Sequence, residues 1–304
     1  MPSDSAAGDY FGFAVAAAGD MVVVGAVFNS RNGINTGSAY VFERTNTGQY
    51  LQVSKLVASD RAANDVFGHS VAATSTVVIG AHQKASSSGS AYVFERTKTG
   101  RYTQVSKLVA SDSAPNDHFG IGVAATDGMV VVGAYGDGDE SGSVYVFAKN
   151  SNGQYQQMSK LVASDGVAGD EFGTVVTATA TGMLVIGAPG DDDVGSNSGS
   201  AYVFEKNTTG QYQQVSKLMA SDGAVDDQLG RAAAVTSGMV VVGAPGSAYV
   251  FAKNSTGQYE QVSKLVTNDG AVDDRFGRAV AATDSMVVVG AYGASRTGSA
   301  YVFE

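Results

Sequence analysis

The sequence predicts an all-β protein: a β-propeller of six four-stranded antiparallel blades, the last lacking its outer strand. Three observations lead there. A Phe-Gly pair, Leu-Gly in one copy, recurs at Phe11-Gly12, Phe67-Gly68, Phe119-Gly120, Phe172-Gly173, Leu229-Gly230 and Phe276-Gly277, at intervals of 56, 52, 53, 57 and 47 residues. Each pair opens the same series of four strand-like segments. Across 304 residues, 39 glycines cut the apolar runs to a handful of residues each, as short strands and tight turns require.

The first segment of each repeat, such as FGHSVAA, is built from Gly, Ala, Ser and Val, and suits an innermost strand where neighbouring blades crowd an axis. The second, such as MVVVGA, is continuously apolar, as a strand covered on both faces should be. The third, SAYVFE, alternates, with Ala39 and Val41 on one face and Tyr40 and Phe42 on the other. The fourth, YLQVSKLVA, is more polar and reads as the outer strand. Segments such as RTNTGQ and KNSTGQ join third to fourth as glycine-bearing hairpins. A solenoid would repeat at shorter intervals. The chain has no Trp, which excludes WD-type blades, and it lacks the double-glycine kelch pattern.

The repeat divides a single domain, 1–304, into blades at about 3–58, 59–110, 111–163, 164–220, 221–267 and 268–304. The chain opens after an outer-strand position and stops at GSAYVFE, so 23 strands are expected. Two readings of that edge stand side by side. In one, the segment is a fragment of a longer, seven-bladed propeller. In the other, Ala300 to Phe303 form a native edge that pairs with a strand of another chain.

Composition excludes several classes. There are no cysteines, so disulfide frameworks, thiolate zinc sites and thiol catalysis are ruled out. A formal net charge of −10 opposes phosphate-directed binding of nucleic acid. The apolar runs are too short for a helical membrane span. The opening MPSDSAAGDYFG is polar and runs directly into the first repeat, unlike a secretory leader.

FG followed by V-φ-G-A-P, as in FGTVV…LVIGAP, resembles the FG-GAP repeat of integrin α-subunit head propellers, in six copies over residues 3–304. The resemblance implies an extracellular or cell-surface setting and ligand binding on the loop-rich face. It also implies calcium loops of the form D-x-D-x-D-G-x-x-D between first and second strands. Those loops here, for example AAAGDM and TATATGM, offer at most one carboxylate each, so the family's calcium sites are absent.

Acids gather instead between second and third strands. Asp191, Asp192 and Asp193, followed by Asn197, form the richest run, and Asp137 and Asp139 form a shorter relative. Calcium held by Asp191, Asp193 and Asn197, with a weaker site at Asp137 and Asp139, competes with a solvated acidic turn built on Asx hydrogen bonds. Asp192 joins Arg231, Arg275 and Arg278 as candidates on the ligand face. The arginines are expected to pair with Asp227 and Asp274.

Two aspartate series recur. Asp9, Asp65, Asp117, Asp170, Asp227 and Asp274 precede each FG by two residues and are expected to accept backbone N–H groups at the turn. Asp4, Asp60, Asp112, Asp165, Asp222 and Asp269 end each outer strand, with the same role expected. His69, His82 and His118 are expected to be isolated, and no nucleophile motif accompanies them. Sequons at Asn207 and Asn254 fall in the repeat's own hairpins. A non-catalytic module that binds a protein or carbohydrate leads the functional expectations. A hydrolase or lyase with its site over the central channel, and an inactive scaffold, are the alternatives.

Overall fold

The computed structural model describes residues 2, 4, 6–29, 34–267, 274–294 and 298–304; Asp269 lies outside them. Blade 1 comprises β1 (Phe11–Ala18), β2 (Met21–Ala26), β3 (Ser38–Arg44) and β4 (Tyr50–Leu56). Blade 2 comprises β5 (Val71–Ala73), β6 (Thr76–Ala81), β7 (Ser90–Arg96) and β8 (Tyr102–Leu108), with one turn, α1 (Lys84–Ser87), after β6. Blade 3 follows as β9 (Val123–Thr126), β10 (Met129–Ala134), β11 (Ser143–Lys149) and β12 (Tyr155–Leu161). Blade 4 is β13 (Val175–Ala178), β14 (Leu184–Ala188), β15 (Ser200–Lys206) and β16 (Tyr212–Leu218). Blade 5 is β17 (Ala232–Val235), β18 (Met239–Ala244), β19 (Ser247–Lys253) and β20 (Tyr259–Leu265). Blade 6 has three strands, β21 (Phe276–Thr283), β22 (Met286–Ala291) and β23 (Ser299–Phe303). Each sheet runs in chain order, and the 23 strands among the described residues match the sequence expectation.

Residue chemistry explains the order. The second strand is buried on both faces, fully so in β6 and β10; in β6, Val77 and Ile79 join the core with blade 1 and Val78 joins the core with blade 3. The fourth strand alternates buried or half-buried with exposed residues, as in β8, because it has solvent on its outer edge. A bulge recurs where third and fourth strands pair, at Val41/Phe42, Val93/Phe94, Val203/Phe204 and Val250/Phe251. It adds local twist.

Two compact units divide the chain, Met1–Asp137 with Val144–Lys160 and Gly138–Ser143 with Leu161–Glu304. In the first, one core joins Met21, Val23, Ala39 and Val41 of blade 1 to Phe67, Val77, Tyr92 and Phe94 of blade 2. A second joins Val78, Ala91 and Val93 of blade 2 to Phe119, Val130, Tyr145 and Phe147 of blade 3. The second unit repeats this, with Leu229 between blades 4 and 5 and Phe276 between blades 5 and 6. The aromatic of FG is therefore the wedge between successive blades. Its backbone bridges the glycine before the preceding blade's third strand, as Gly37 to Phe67, Gly89 to Phe119, Gly142 to Phe172 and Gly199 to Leu229.

The glycines of FG and of GAP meet. A Cβ on Gly187 would lie 2.0 Å from the carbonyl oxygen of Gly230, which itself has φ +102. No side chain fits there, which is why FG ends, and GAP begins, with glycine.

Candidate functional site

In a four-stranded antiparallel blade, the turn entering the first strand and the loop from second to third leave the same edge. That edge carries nearly all the residues singled out by sequence. Its frame is a tight turn. The aspartate two residues before FG accepts the backbone N–H three residues upstream, Asp9 from Ala6 at 2.8 Å, Asp65 from Ala62 at 2.6 Å, Asp117 from Ala114 at 2.6 Å, Asp170 from Val167 at 2.8 Å and Asp227 from Ala224 at 2.8 Å. This is the local role expected of the series.

The turn forces the residue just before FG into left-handed backbone. Tyr10, Val66, His118, Glu171, Gln228 and Arg275 have φ of 53, 51, 56, 59, 50 and 55. None is glycine, and such conformations cost of order 1–3 kcal/mol each. Val66, His118, Glu171 and Gln228 are held by amides that bond to the preceding blade's loop, for instance His118 N to Ser87 O at 2.7 Å and Glu171 N to Glu140 O at 2.8 Å. The strained slot is the same in every blade while its side chain is different in every blade. Sequence reasoning passed over it; the signal was variability directly beside an otherwise constant motif.

The second aspartate series does something other than end a strand. Asp4, Asp60, Asp112, Asp165 and Asp222 each accept from the lysine of the following fourth strand, namely Lys55, Lys107, Lys160, Lys217 and Lys264. That ammonium lies 5.3–6.0 Å from the ring centre of the buried tyrosine of the third strand, as Lys217 over Tyr202 and Lys107 over Tyr92. The tyrosine hydroxyl donates to a carboxylate, as Tyr92 to Asp60 at 2.7 Å. The role is wider than the local turn expected: the aspartate locks the start of each blade to that blade's own fourth strand, whose lysine it holds.

The loop acids belong to this lock. Asp137 and Asp191 occupy equivalent positions, four residues into the GAP segment. Lys160 lies 2.6 Å from Asp137, and Lys217 lies 2.7 Å from Asp191, 2.6 Å from Asp193 and 2.8 Å from Asp165. Burial drives the Lys217 pKa down, but its bonds to the three aspartates prevail and raise it. The buried Asp191 also accepts from Tyr202 at 2.8 Å. Asp192 caps the amide of Asn197 at 2.6 Å, Asn197 donates to Asp226 at 3.1 Å, and Asp139 accepts from Gly169 through its carbonyl. Blade 1 puts Asn29 in the Asp191 slot and blade 2 puts Lys84 there, 2.8 Å from Asp65. The slot therefore tolerates either charge, provided the pairing is satisfied. Among the described residues, no three carboxylates or imidazoles are arranged to hold a metal ion; a calcium ion at Asp191 would have to take the place of Lys217.

The histidines, expected to be isolated, converge. His69 and His82 rings are 4.2 Å apart, His82 and His118 5.6 Å, and His118 stacks on Tyr135 at 4.7 Å, with Phe13 at 4.9 Å from His69. The FG turns of blades 2 and 3 and the loops after β6 and β10 present them side by side, a proximity invisible across 49 residues of sequence. Burial, and then the charges of His69 and His118, push His82 down to about 3. Burial also lowers His69, so both of these imidazoles are pushed towards the neutral form.

In the second unit the same edge is polar. Arg231 lies 4.0 Å from Glu171 and donates to Gln228 at 3.2 Å, not to Asp227, whose carboxylate serves the turn. Arg275 donates to Tyr292 at 2.7 Å and stacks over its ring. The Nε of Arg278 is buried without a hydrogen-bond partner. Burial raises the Glu171 carboxyl; Arg231 opposes this and Glu140 adds to it. The opposite edge of this unit holds a cleft of ≈ 500 Å³ between the first-to-second-strand loops, lined by Thr179, Thr181, Thr236, Ser237, Thr283 and Asp284 among others.

These sheets, wedged by FG aromatics and carrying variable loops on one edge, define a β-propeller. The chain belongs to the FG-GAP repeat family, whose model matches residues 1–42, 50–94, 102–147, 155–204, 212–257 and 259–303, consistent with an integrin-like propeller. No curated protein matches the chain. Among solved structures it is similar to the periplasmic gluconolactonase PpgL of Pseudomonas aeruginosa, at 14% identity and TM-score 0.60, over 96% of this chain and 84% of that one. It is similar to a protein from Lactobacillus plantarum at 16% and 0.63, over 96% and 83%. Likeness to Sqt1 from Chaetomium thermophilum stands at 16% and 0.58, over 97% and 69%. At these identities the likeness shows the fold alone. Among the described residues no helix is long and apolar enough to cross a membrane.

Proposed function

We propose that this chain is a non-catalytic binding module that holds a protein or carbohydrate ligand on the edge carrying the FG turns, in an extracellular or cell-surface setting. One observation carries the reading: each blade holds a different side chain in the same strained, left-handed slot before FG. Strain kept in six copies while the side chain varies is what a display position requires. The rings packed around His118 and the polar group around Glu171, Arg231 and Gln228 supply stacking faces and hydrogen-bonding groups. Screening against oligosaccharides and extracellular protein fragments, followed by His118→Ala and Glu171→Ala, tests it. The expected result is binding lost in one or both variants with unchanged circular dichroism; binding that survives both overturns the assignment.

Calcium at Asp191, Asp193 and Asn197 enters this proposal as a competitor of Lys217, and direct titration measures it. A second reading, a hydrolase or lyase, is favoured by the raised carboxyl of Glu171 beside Glu140. Turnover of a lactone or glycoside that disappears in Glu171→Gln would establish it in place of the first.

A further inference from the structure

One buried donor in blade 6 lacks an acceptor, and its repeat equivalent in blade 5 shows why. Arg231 and Arg278 each follow the glycine of FG. In blade 5 the Nε of Arg231 donates to the side-chain oxygen of Gln228, three residues earlier, at 3.2 Å. In blade 6 the residue three earlier is Arg275, whose guanidinium carries donors only. The Nε of Arg278 is accordingly buried with no hydrogen-bond partner, and an external acceptor would satisfy it.

The surrounding groups do not supply one. Arg275 donates to the Tyr292 hydroxyl at 2.7 Å and lies over that ring. The carboxylate of Glu171 is 4.0 Å from Arg231, too far for a hydrogen bond. Asp227 holds the turn amide of Ala224 instead. Among the described residues no ion pair reaches Arg275 or Arg278. The three arginines share the FG-turn edge of one compact unit. Gly243 sets two of them side by side: a Cβ there would meet the carbonyl oxygen of Gly277 at 2.0 Å and the Cβ of Ala232 at 3.1 Å, the chain neighbours of Arg278 and Arg231. The fourth-strand lysines of this unit are matched to aspartates, whereas these three cations share one distant acid.

We propose that this cluster is the subsite for the carboxylate of an acidic polysaccharide, a uronic acid unit that accepts from Arg278 Nε and from the neighbouring guanidinium groups. The inference rests on the binding reading above and names its ligand. A planar carboxylate meets the guanidinium fork with two parallel bonds. The setting of the charge favours a sugar over a peptide. Tyr292 is 60% exposed and presents an aromatic surface to a pyranose ring, while Gln228 and Glu171 present hydrogen-bonding groups to its hydroxyls.

Calorimetry on the whole chain tests this with three probes: an oligomer of galacturonic acid, its methyl ester and an oligoglutamate. The acidic sugar is expected to bind saturably and the ester about tenfold or more weaker, since the ester keeps the ring and loses the charge. Arg278→Met should weaken binding of the acid by a similar factor. Arg275→Gln is the sharper test, because it gives Arg278 the acceptor that Gln228 gives Arg231. It should lose binding while its melting temperature stays level or rises; a purely structural arginine would lower that temperature. If Arg278→Met fails to fold by circular dichroism, Arg275→Gln decides alone. Equal binding of acid and ester overturns the proposal, as does unchanged binding in Arg275→Gln. Oligoglutamate bound as tightly as the sugar also overturns it and assigns the site to a peptide. A parent that ignores the acidic sugar yet binds another ligand, with loss in His118→Ala, overturns this inference and leaves the binding reading standing; no ligand at all removes both.

Discussion

The ammonium of Lys217 lies 2.7 Å from the carboxylate of Asp191, at the point where three aspartates meet. Asp191 is 2% exposed, so the pair is removed from water and each partner depends on the other. Lys217→Met is expected to destabilise the protein by about 3–5 kcal/mol, the cost of leaving a buried charge without its counterion. Chemical denaturation measures it. Calorimetric titration should show calcium binding more tightly to Lys217→Met than to the parent, since the variant no longer fills the carboxylates with its own cation.

Gly187 and Gly230 make a second prediction. A Cβ at Gly187 would stand 2.0 Å from the Gly230 carbonyl oxygen, a backbone atom that cannot turn aside. Gly187→Ala is expected to cost about 1–3 kcal/mol or more, the range for forcing extra atoms into a packed contact. Thermal melting of the variant checks it.

Phe172 and Phe11 hold the same place in the repeat at different burial. Phe172→Ala should cost about 3–5 kcal/mol, as a large cavity in a core does. Phe11→Ala should cost far less, because that ring is already 37% exposed. Denaturation of the two variants side by side distinguishes them.

Acid should weaken the protein through the histidine row. His82 falls from an ordinary 6.5 to about 3 when folded, so between those values the unfolded chain binds the extra proton. Stability is full above about pH 6.5 and declines as pH falls towards 3, with a slope of up to about 1.4 kcal/mol per pH unit for this proton. His82→Gln should flatten that part of the stability–pH curve, measured by denaturation at a series of pH values.

Much of this was legible in the chain. Period and order of segments gave away six blades and the missing outer strand, because strand burial writes itself as apolar runs and alternation. The aspartate before FG also read correctly, since its partner lies only three residues away. Lys217, the Asp165 series and the histidine row did not, because their partners lie on other strands and loops that only folding brings together, and sequence spacing carries no such distance. Asp191 looked like a metal ligand because a lysine twenty-six residues later gives no sign of being its counterion.

By itself the sequence determined the repeat, the blade and the turn, all of which rest on local periodicity and on contacts within a few residues. Tertiary structure decided which charges meet, which rings stack and which faces remain open. Those depend on how one blade's third and fourth strands fall against the next blade's first, a relation set by the packing of FG aromatics between sheets and not by any neighbour along the chain.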